Sequence, residues 1–90
     1  MSEELNTQFL TAKEEVTQLS AAPDNMVKLQ LYALYKQSTE GDVQGDRPGM
    51  TNFVGRAKYD EWKKHEGKSQ DEAKQEYIAL VEQLKAADGK

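Results

Sequence analysis

Cysteine is absent from this 90-residue chain, which removes disulfide scaffolds, thiolate zinc sites and cysteine nucleophiles together. Long apolar runs are missing too: none approaches the ~18 to 20 residues of a membrane span, and residues 1–20 lack the continuous apolar core of a signal peptide. Large aliphatics are scarce. Leu, Ile, Val and Phe together make 16 of the 90 residues, a level at which disorder also requires a high net charge. The net charge here is only −4. A folded chain of this size buries one thin core, with Tyr, Trp, Met and Ala as filler, and has no room for a deep, walled active site. The expectation is a single soluble cytoplasmic domain over residues 1–90 whose site is a groove or a surface.

Proline and glycine are confined to Pro23, the stretch Gly41 to Gly49, Gly55, Gly67 and Gly89, which leaves four long segments rich in helix formers and no strand pattern. The first helix is expected from Glu3 to Leu19, with Ser2 as N-cap and Phe9, Ala12, Val16 and Leu19 as one apolar stripe. The second starts at Asp24 or Asn25 and ends near Thr39, before Gly41. It carries two stripes: Val27, Leu31, Leu34 and Ser38 form the first, and Lys28, Tyr32, Tyr35 with Lys36, and Thr39 the second. The first reads as core. The second either completes a core short of aliphatics or faces something partly aromatic and negatively charged.

The third helix is expected from a Thr51 or Asn52 cap to Glu66, and the fourth begins at a capping box of Ser69 and Glu72 and buries Ala73, Tyr77, Leu80, Val81 and Leu84. Short links make helices 1–2 and 3–4 antiparallel hairpins. The link from Glu40 to Met50 is long enough, at up to ~33 Å extended, to run back along a ~22 Å helix. These lengths predict an all-α, up-down-down-up four-helix bundle with helices 2 and 3 parallel.

Charge is uneven: residues 47–68 hold six Lys or Arg against three Asp or Glu, while both flanking segments are acidic. A local basic patch on an acidic chain is a poor non-specific nucleic-acid binder, which needs many phosphate contacts, and fits a small phosphorylated ligand better. Arg56, Lys58, Lys63, Lys64 and Lys68 otherwise form a solvated face. His65, the single histidine, reads as an exposed residue with no partnered nucleophile. No metal-ligand spacing is present, and the 41–49 loop is neither a P-loop nor a dinucleotide turn. The chain is not expected to be an enzyme.

Several separated motifs then fall into one order. Leu31-Tyr32-Ala33-Leu34-Tyr35-Lys36-Gln37-Ser38-Thr39 with Gly41-Asp42 is followed by Arg47-Pro48-Gly49, then Gly55-Arg56-Ala57-Lys58-Tyr59-Asp60-Glu61-Trp62, then Gly67, Ser69 and Tyr77-Ile78. Together they closely resemble the signature of the acyl-CoA-binding protein family over about residues 5 to 85. The resemblance implies the same up-down-down-up bundle, no cofactor or metal, and a soluble monomeric carrier of long-chain fatty acyl-CoA that neither inserts stably in membranes nor binds nucleic acid. By that resemblance Tyr32, Ala33, Leu34, Tyr35, Lys36, Lys58 and Tyr77 are ligand-binding positions. The lysines suit phosphate, the 3′-phosphate above all, and the tyrosines offer rings and hydroxyls.

Met26 and Leu29 are further candidates for the acyl tail, since Met repacks easily around chains of varied length. The family often has a basic residue on helix 1 and a lysine near the start of helix 3 where this chain has Thr17 and Val54, and Lys13 stands one turn before Thr17 as a partial replacement. Tyr59 takes the place of a tryptophan. The competing reading is a helical protein-interaction module whose tyrosine and lysine stripe docks a peptide.

Overall fold

The computed structural model describes residues 2–20 and 22–88. It has four helices: α1 Ser2–Val16, α2 Asn25–Glu40, α3 Phe53–Lys63 and α4 Gln70–Asp88. Each start has a local cause. Asp24 caps α2, its carboxylate accepting the Val27 N–H at 2.9 Å, and Asn52 caps α3 by accepting the Gly55 N–H at 3.0 Å. At α4 the expected capping box forms: Ser69 Oγ accepts the Glu72 N–H at 3.0 Å and Glu72 Oε1 accepts the Ser69 N–H at 3.2 Å. Gly41 ends α2 at φ 85°, a conformation that favours glycine, with its N–H on the Gln37 carbonyl.

Two helices are shorter than the sequence suggests. At the end of α1 the N–H groups of Thr17 and Gln18 turn to the carbonyls of Glu14 and Glu15, and the Thr17 hydroxyl donates to the Glu14 carbonyl at 2.6 Å. Beyond Lys63 the same i to i−3 pattern carries His65, Glu66 and Lys68 round a tight turn with Gly67 at φ 89°. Helix-forming side chains there sit in 3₁₀-type turns rather than α-helix. Ser2, the expected cap of α1, is already its first helical residue.

Cross-links set the helix directions. Lys74 donates to Asn6 at 2.6 Å, Lys85 pairs with Glu15 at 2.9 Å, and Asp88 accepts from Ser20, so α1 and α4 run parallel. Gln37 near the end of α2 bonds Lys68 just before α4, which makes that pair antiparallel. The first halves of α2 and α3 line one groove together, and their far ends meet where Trp62 Nε1 donates to Gln37 at 3.1 Å and to the Gly41 carbonyl at 2.8 Å, so α2 and α3 run parallel. The crossover is pinned to α3 by a fork of Arg47 on Asp60, at 2.9 and 2.7 Å, and by the Tyr59 hydroxyl donating to the Gly45 carbonyl at 3.2 Å. Topology is therefore up-down-down-up.

The core joins Phe9 and Ala12 of α1, Leu31 and Leu34 of α2, and Ala73, Tyr77 and Val81 of α4, with Val16, Val27, Leu80 and Leu84 packed at its edge. These are the apolar stripes of the sequence. The hairpins differ from expectation in one respect: α4 packs on α1 and on α2, and α2 on α3, but no Cα of α1 comes within 8 Å of α2, nor any of α3 within 8 Å of α4. The result is a slab of 39 × 32 × 15 Å, with open space between α1 and α2.

Candidate functional site

Two grooves flank α2, one on each side, and together they make the candidate site. The first, of about 410 Å³, lies between α1 and α2. Its wall includes Lys13, Val16 and Thr17 from α1 and its end, Leu31, Tyr32 and Tyr35 from α2, and Tyr77 from α4. The second, of about 440 Å³, lies between α2 and α3, with Leu29, Val54 and Ala57 as apolar wall and Asn25 and Lys58 as polar rim. Lys28 and Tyr32 belong to both.

Tyr32, Tyr35 and Tyr77 give the first groove an aromatic lining, and Phe9 packs behind the last two. Phe9 stacks on Tyr35 with ring centroids 6.0 Å apart and meets Tyr77 edge-on at 5.1 Å. These three rings bridge α1, α2 and α4 and occupy the space that a directly packed α1–α2 hairpin would close. Tyr77 is buried, and both its burial and the nearby Tyr35 push its phenol pKa up, so it stays protonated as a donor. Among the described residues its hydroxyl makes no hydrogen bond and no buried side-chain polar atom lacks a partner, so this hydroxyl opens onto the groove.

Cations gather around the tyrosines. Lys58 Nζ lies 5.0 Å from the Tyr32 ring centre, and Lys36 Nζ lies 6.0 Å from it and 5.3 Å from the ring of Trp62. Lys13 sits over Tyr35 at 4.7 Å. These are cation–π distances. Lys36 also pairs with Glu40 one turn on; that hydrogen bond is the main cause that raises the ammonium pKa above its ordinary value. Lys36 and Lys58 therefore bring two positive charges to one tyrosine from different helices.

Behind this cluster is a buried polar network. Gln37 is 0% exposed: its amide nitrogen donates to Asp42 at 2.9 Å and to the Lys68 carbonyl at 2.8 Å, and its oxygen accepts from Trp62 Nε1 at 3.1 Å. Trp62 Nε1 also donates to the Gly41 carbonyl at 2.8 Å. The Gly67 N–H on Asp42, with the Gln37 amide second, holds the Asp42 carboxyl below its usual range. Gln37 thus fixes the Trp62 ring against which Lys36 lies.

The sequence candidates separate on helix phase. At 100° per residue, Asn25, Lys28, Leu29, Tyr35 and Lys36 all lie within about 60° of Tyr32 on α2, whereas Ala33, Leu34 and Met26 lie about 100° or more away. Ala33 and Leu34 are accordingly buried, at 0% and 5%, and Leu34 belongs to the core, so neither offers a side chain to a ligand. Met26 is 62% exposed and lines neither groove. Leu29, Lys13, Thr17 and Val54 do line one. Within the tyrosine stripe, Tyr35 packs on the core and also lines the first groove, whereas Tyr32 stands outside the core and lines both grooves.

His65 is half-buried rather than exposed. It lies beside Leu34, Glu61 and Glu76, its Nδ1 is 3.0 Å from Lys68 Nζ, and burial, then Lys68, lowers its pKa. No cluster of three or more His, Asp or Glu able to hold a metal ion occurs among the described residues. Sequence reasoning passed over Lys28 and Gln37 as site residues. Lys28 was legible, being one turn before Tyr32 in the same stripe; Gln37 had no local signal.

Comparison with known proteins bears on this arrangement. The model of the family described as acyl CoA binding protein matches residues 6–81. An acyl-CoA-binding protein of Brassica napus is 49% identical over 84 residues, covering 93% of this chain and 91% of the relative. One from Saccharomyces cerevisiae is 48% identical over 76 residues, covering 84% and 87%. The crystal structure of Oryza sativa Acyl-CoA-Binding Protein 2 superposes with a TM-score of 0.89 at 42% identity, covering 94% of each chain. The chain belongs to the acyl-CoA-binding protein family.

Proposed function

We propose that residues 1–90 act as one monomeric binding domain in the cytoplasm that carries and pools long-chain fatty acyl-CoA without chemical turnover. The supporting observation is the adjacency of a cationic tyrosine cluster to an apolar groove: Lys36 and Lys58 meet at Tyr32, and the wall of Leu29, Val54 and Ala57 adjoins that same tyrosine. An acyl-CoA has matching parts in matching order. The nucleotide head brings a flat ring and phosphates, for which phenols and ammonium groups are partners. The thioester tail brings methylenes, each contributing ~0.8 kcal/mol when buried, so a dozen supply up to roughly 10 kcal/mol, comparable with the whole free energy of a submicromolar complex.

In this reading the head lies over Tyr32, Tyr35 and Tyr77, with its 3′-phosphate on Lys36 and Lys58, and the tail lies in the α2–α3 groove. No nucleophile is paired with a base in either groove, so the bound thioester stays intact, and the few free cations bind one small ligand rather than a nucleic acid. No described helix is long and apolar enough to cross a membrane. Titration calorimetry with palmitoyl-CoA, free coenzyme A and free palmitate tests the proposal. The expected result is one-to-one binding, tightest for palmitoyl-CoA. Equal affinity for palmitate and palmitoyl-CoA overturns it, and release of free thiol that tracks the purified protein overturns the absence of turnover.

A further inference from the structure

Lys28 stands where the two grooves meet. Among the described residues only Lys28 and Tyr32 line both, so a ligand with its head in the α1–α2 groove and its tail in the α2–α3 groove crosses α2 over these two side chains. The neighbouring cations have partners on the protein: Lys36 has Glu40 and Trp62, Lys58 has Tyr32, and Lys13 has Tyr35. Lys28 has no ion pair among the described residues. The acidic side chain one turn before it, Asp24, is committed to capping α2 through the Val27 N–H.

Position along α2 separates Lys28 from Lys36, while Lys58 lines the α2–α3 groove together with Lys28. Lys36 is two turns beyond Lys28, about 12 Å along the axis at 1.5 Å per residue. Lys36 and Lys58 form one region at Tyr32. Lys28 forms another, facing Lys13 across the α1–α2 groove. The ligand of the preceding section carries two separate anionic groups, a ribose 3′-phosphate and a pyrophosphate, and the pyrophosphate lies between the adenosine and the acyl-pantetheine arm. The part that crosses the ridge between head and tail is therefore the pyrophosphate and the start of that arm.

Resting on that reading of the site, we infer that Lys28 is a binding residue for the pyrophosphate, separate from the 3′-phosphate site at Lys36 and Lys58, and that Lys13 adds to its field from the opposite wall. An unpaired ammonium on the crossing point gives up little when it meets phosphate oxygens, since no internal ion pair is broken, and the contact is charge-assisted.

The test compares wild type with Lys28→Met, which keeps the unbranched stem in the groove walls and deletes the charge, and with Lys58→Met. Each is titrated with dodecanoyl-CoA, its 3′-dephospho form and S-dodecanoylpantetheine, which lacks both anionic groups, and circular dichroism checks that each is folded. Lys28→Met is expected to weaken dodecanoyl-CoA and the 3′-dephospho form alike, by roughly tenfold, and to leave the pantetheine thioester unchanged. Lys58→Met should lose most of its effect once the 3′-phosphate is gone. If Lys28→Met binds dodecanoyl-CoA as wild type does, or if its effect disappears with the 3′-phosphate, the assignment is overturned while the carrier reading stands. A wild type that ignores all three thioesters overturns the carrier reading itself.

Discussion

The two lysines at Tyr32 should part company when each is replaced by alanine. Both lose a charge-assisted contact to phosphate, which costs about 1.5 to 3 kcal/mol, so affinity for palmitoyl-CoA should fall roughly ten- to hundredfold in each variant. Stability should differ. Lys58 is exposed and has no ion pair among the described residues; its cation–π contact is the Tyr32 ring, at 5.0 Å, and at so exposed a site its replacement costs about 0.5 kcal/mol. The Lys36 side chain is 23% exposed, pairs with Glu40 at i, i+4 and lies 5.3 Å over Trp62. Losing that pair costs about 0.3 to 0.5 kcal/mol and losing the ring contact about 0.5 to 1. A total near 1 kcal/mol lowers the midpoint of a domain this size by about 4 to 8 °C. Titration calorimetry paired with thermal melts followed by circular dichroism reads both quantities. The sequence alone suggests that both lysines act mainly on the phosphates and that the melting midpoint of either variant is almost unchanged. Equal melting of Lys36→Ala and wild type would refute the structural half of the reasoning, and wild-type binding by both variants would refute the placement of the phosphate.

Gln37→Met keeps volume and removes three hydrogen bonds, one to a carboxylate, so it should destabilise by about 3 kcal/mol and lower the melting midpoint by at least ~12 °C, as read by circular dichroism. Tyr77→Phe removes a hydroxyl with no bond among the described residues, so calorimetry should show weaker acyl-CoA binding by up to about tenfold, at unchanged stability. The Asp42 carboxyl titrates lower in the folded chain than unfolded, so its stabilisation is present above the ordinary aspartate value near 3.9 and is lost as pH falls through the folded value. Melts of wild type and Asp42→Ala should accordingly differ at pH 7 and converge as pH drops below about 4.

Where a feature depends on neighbours in the chain, the sequence showed it. The Ser69–Glu72 box, the cap at Asn52 and the Gly41 stop need only a few consecutive residues, and all three form. Helix directions followed from link lengths, because the 40–50 link suffices to run back along α2 while the other two links are too short to do so. The ends of α1 and α3 were not legible. Thr17 and His65 bond i−3 rather than i−4 carbonyls, a choice set by where the chain must turn next and invisible in composition. Gln37 was missed for a similar reason: its partner Lys68 is 31 residues away, and a glutamine on a helix usually faces water. Ala33 and Leu34 sit inside a contiguous motif, yet their side chains are buried. A motif runs along the chain, whereas a helix shows a ligand only one face in each turn, and the intervening residues serve the core.

That division of labour within α2 also explains why so small a chain has a site at all. A tightly closed four-helix bundle would spend every apolar face on its own core. Here Phe9, Tyr35 and Tyr77 pack on one another between α1, α2 and α4, and the two tyrosines both join the core on one side and line the α1–α2 groove on the other. Aliphatics in place of Tyr35 and Tyr77 would remove two of the three phenols that line this groove. The scarcity of Leu, Ile and Val and the placing of tyrosine on α2 and α4 are thus one fact seen twice. The thin core that composition imposes leaves the space between the helices open, and the aromatic residues that compensate for it supply the surface that a flat, phosphorylated head can use.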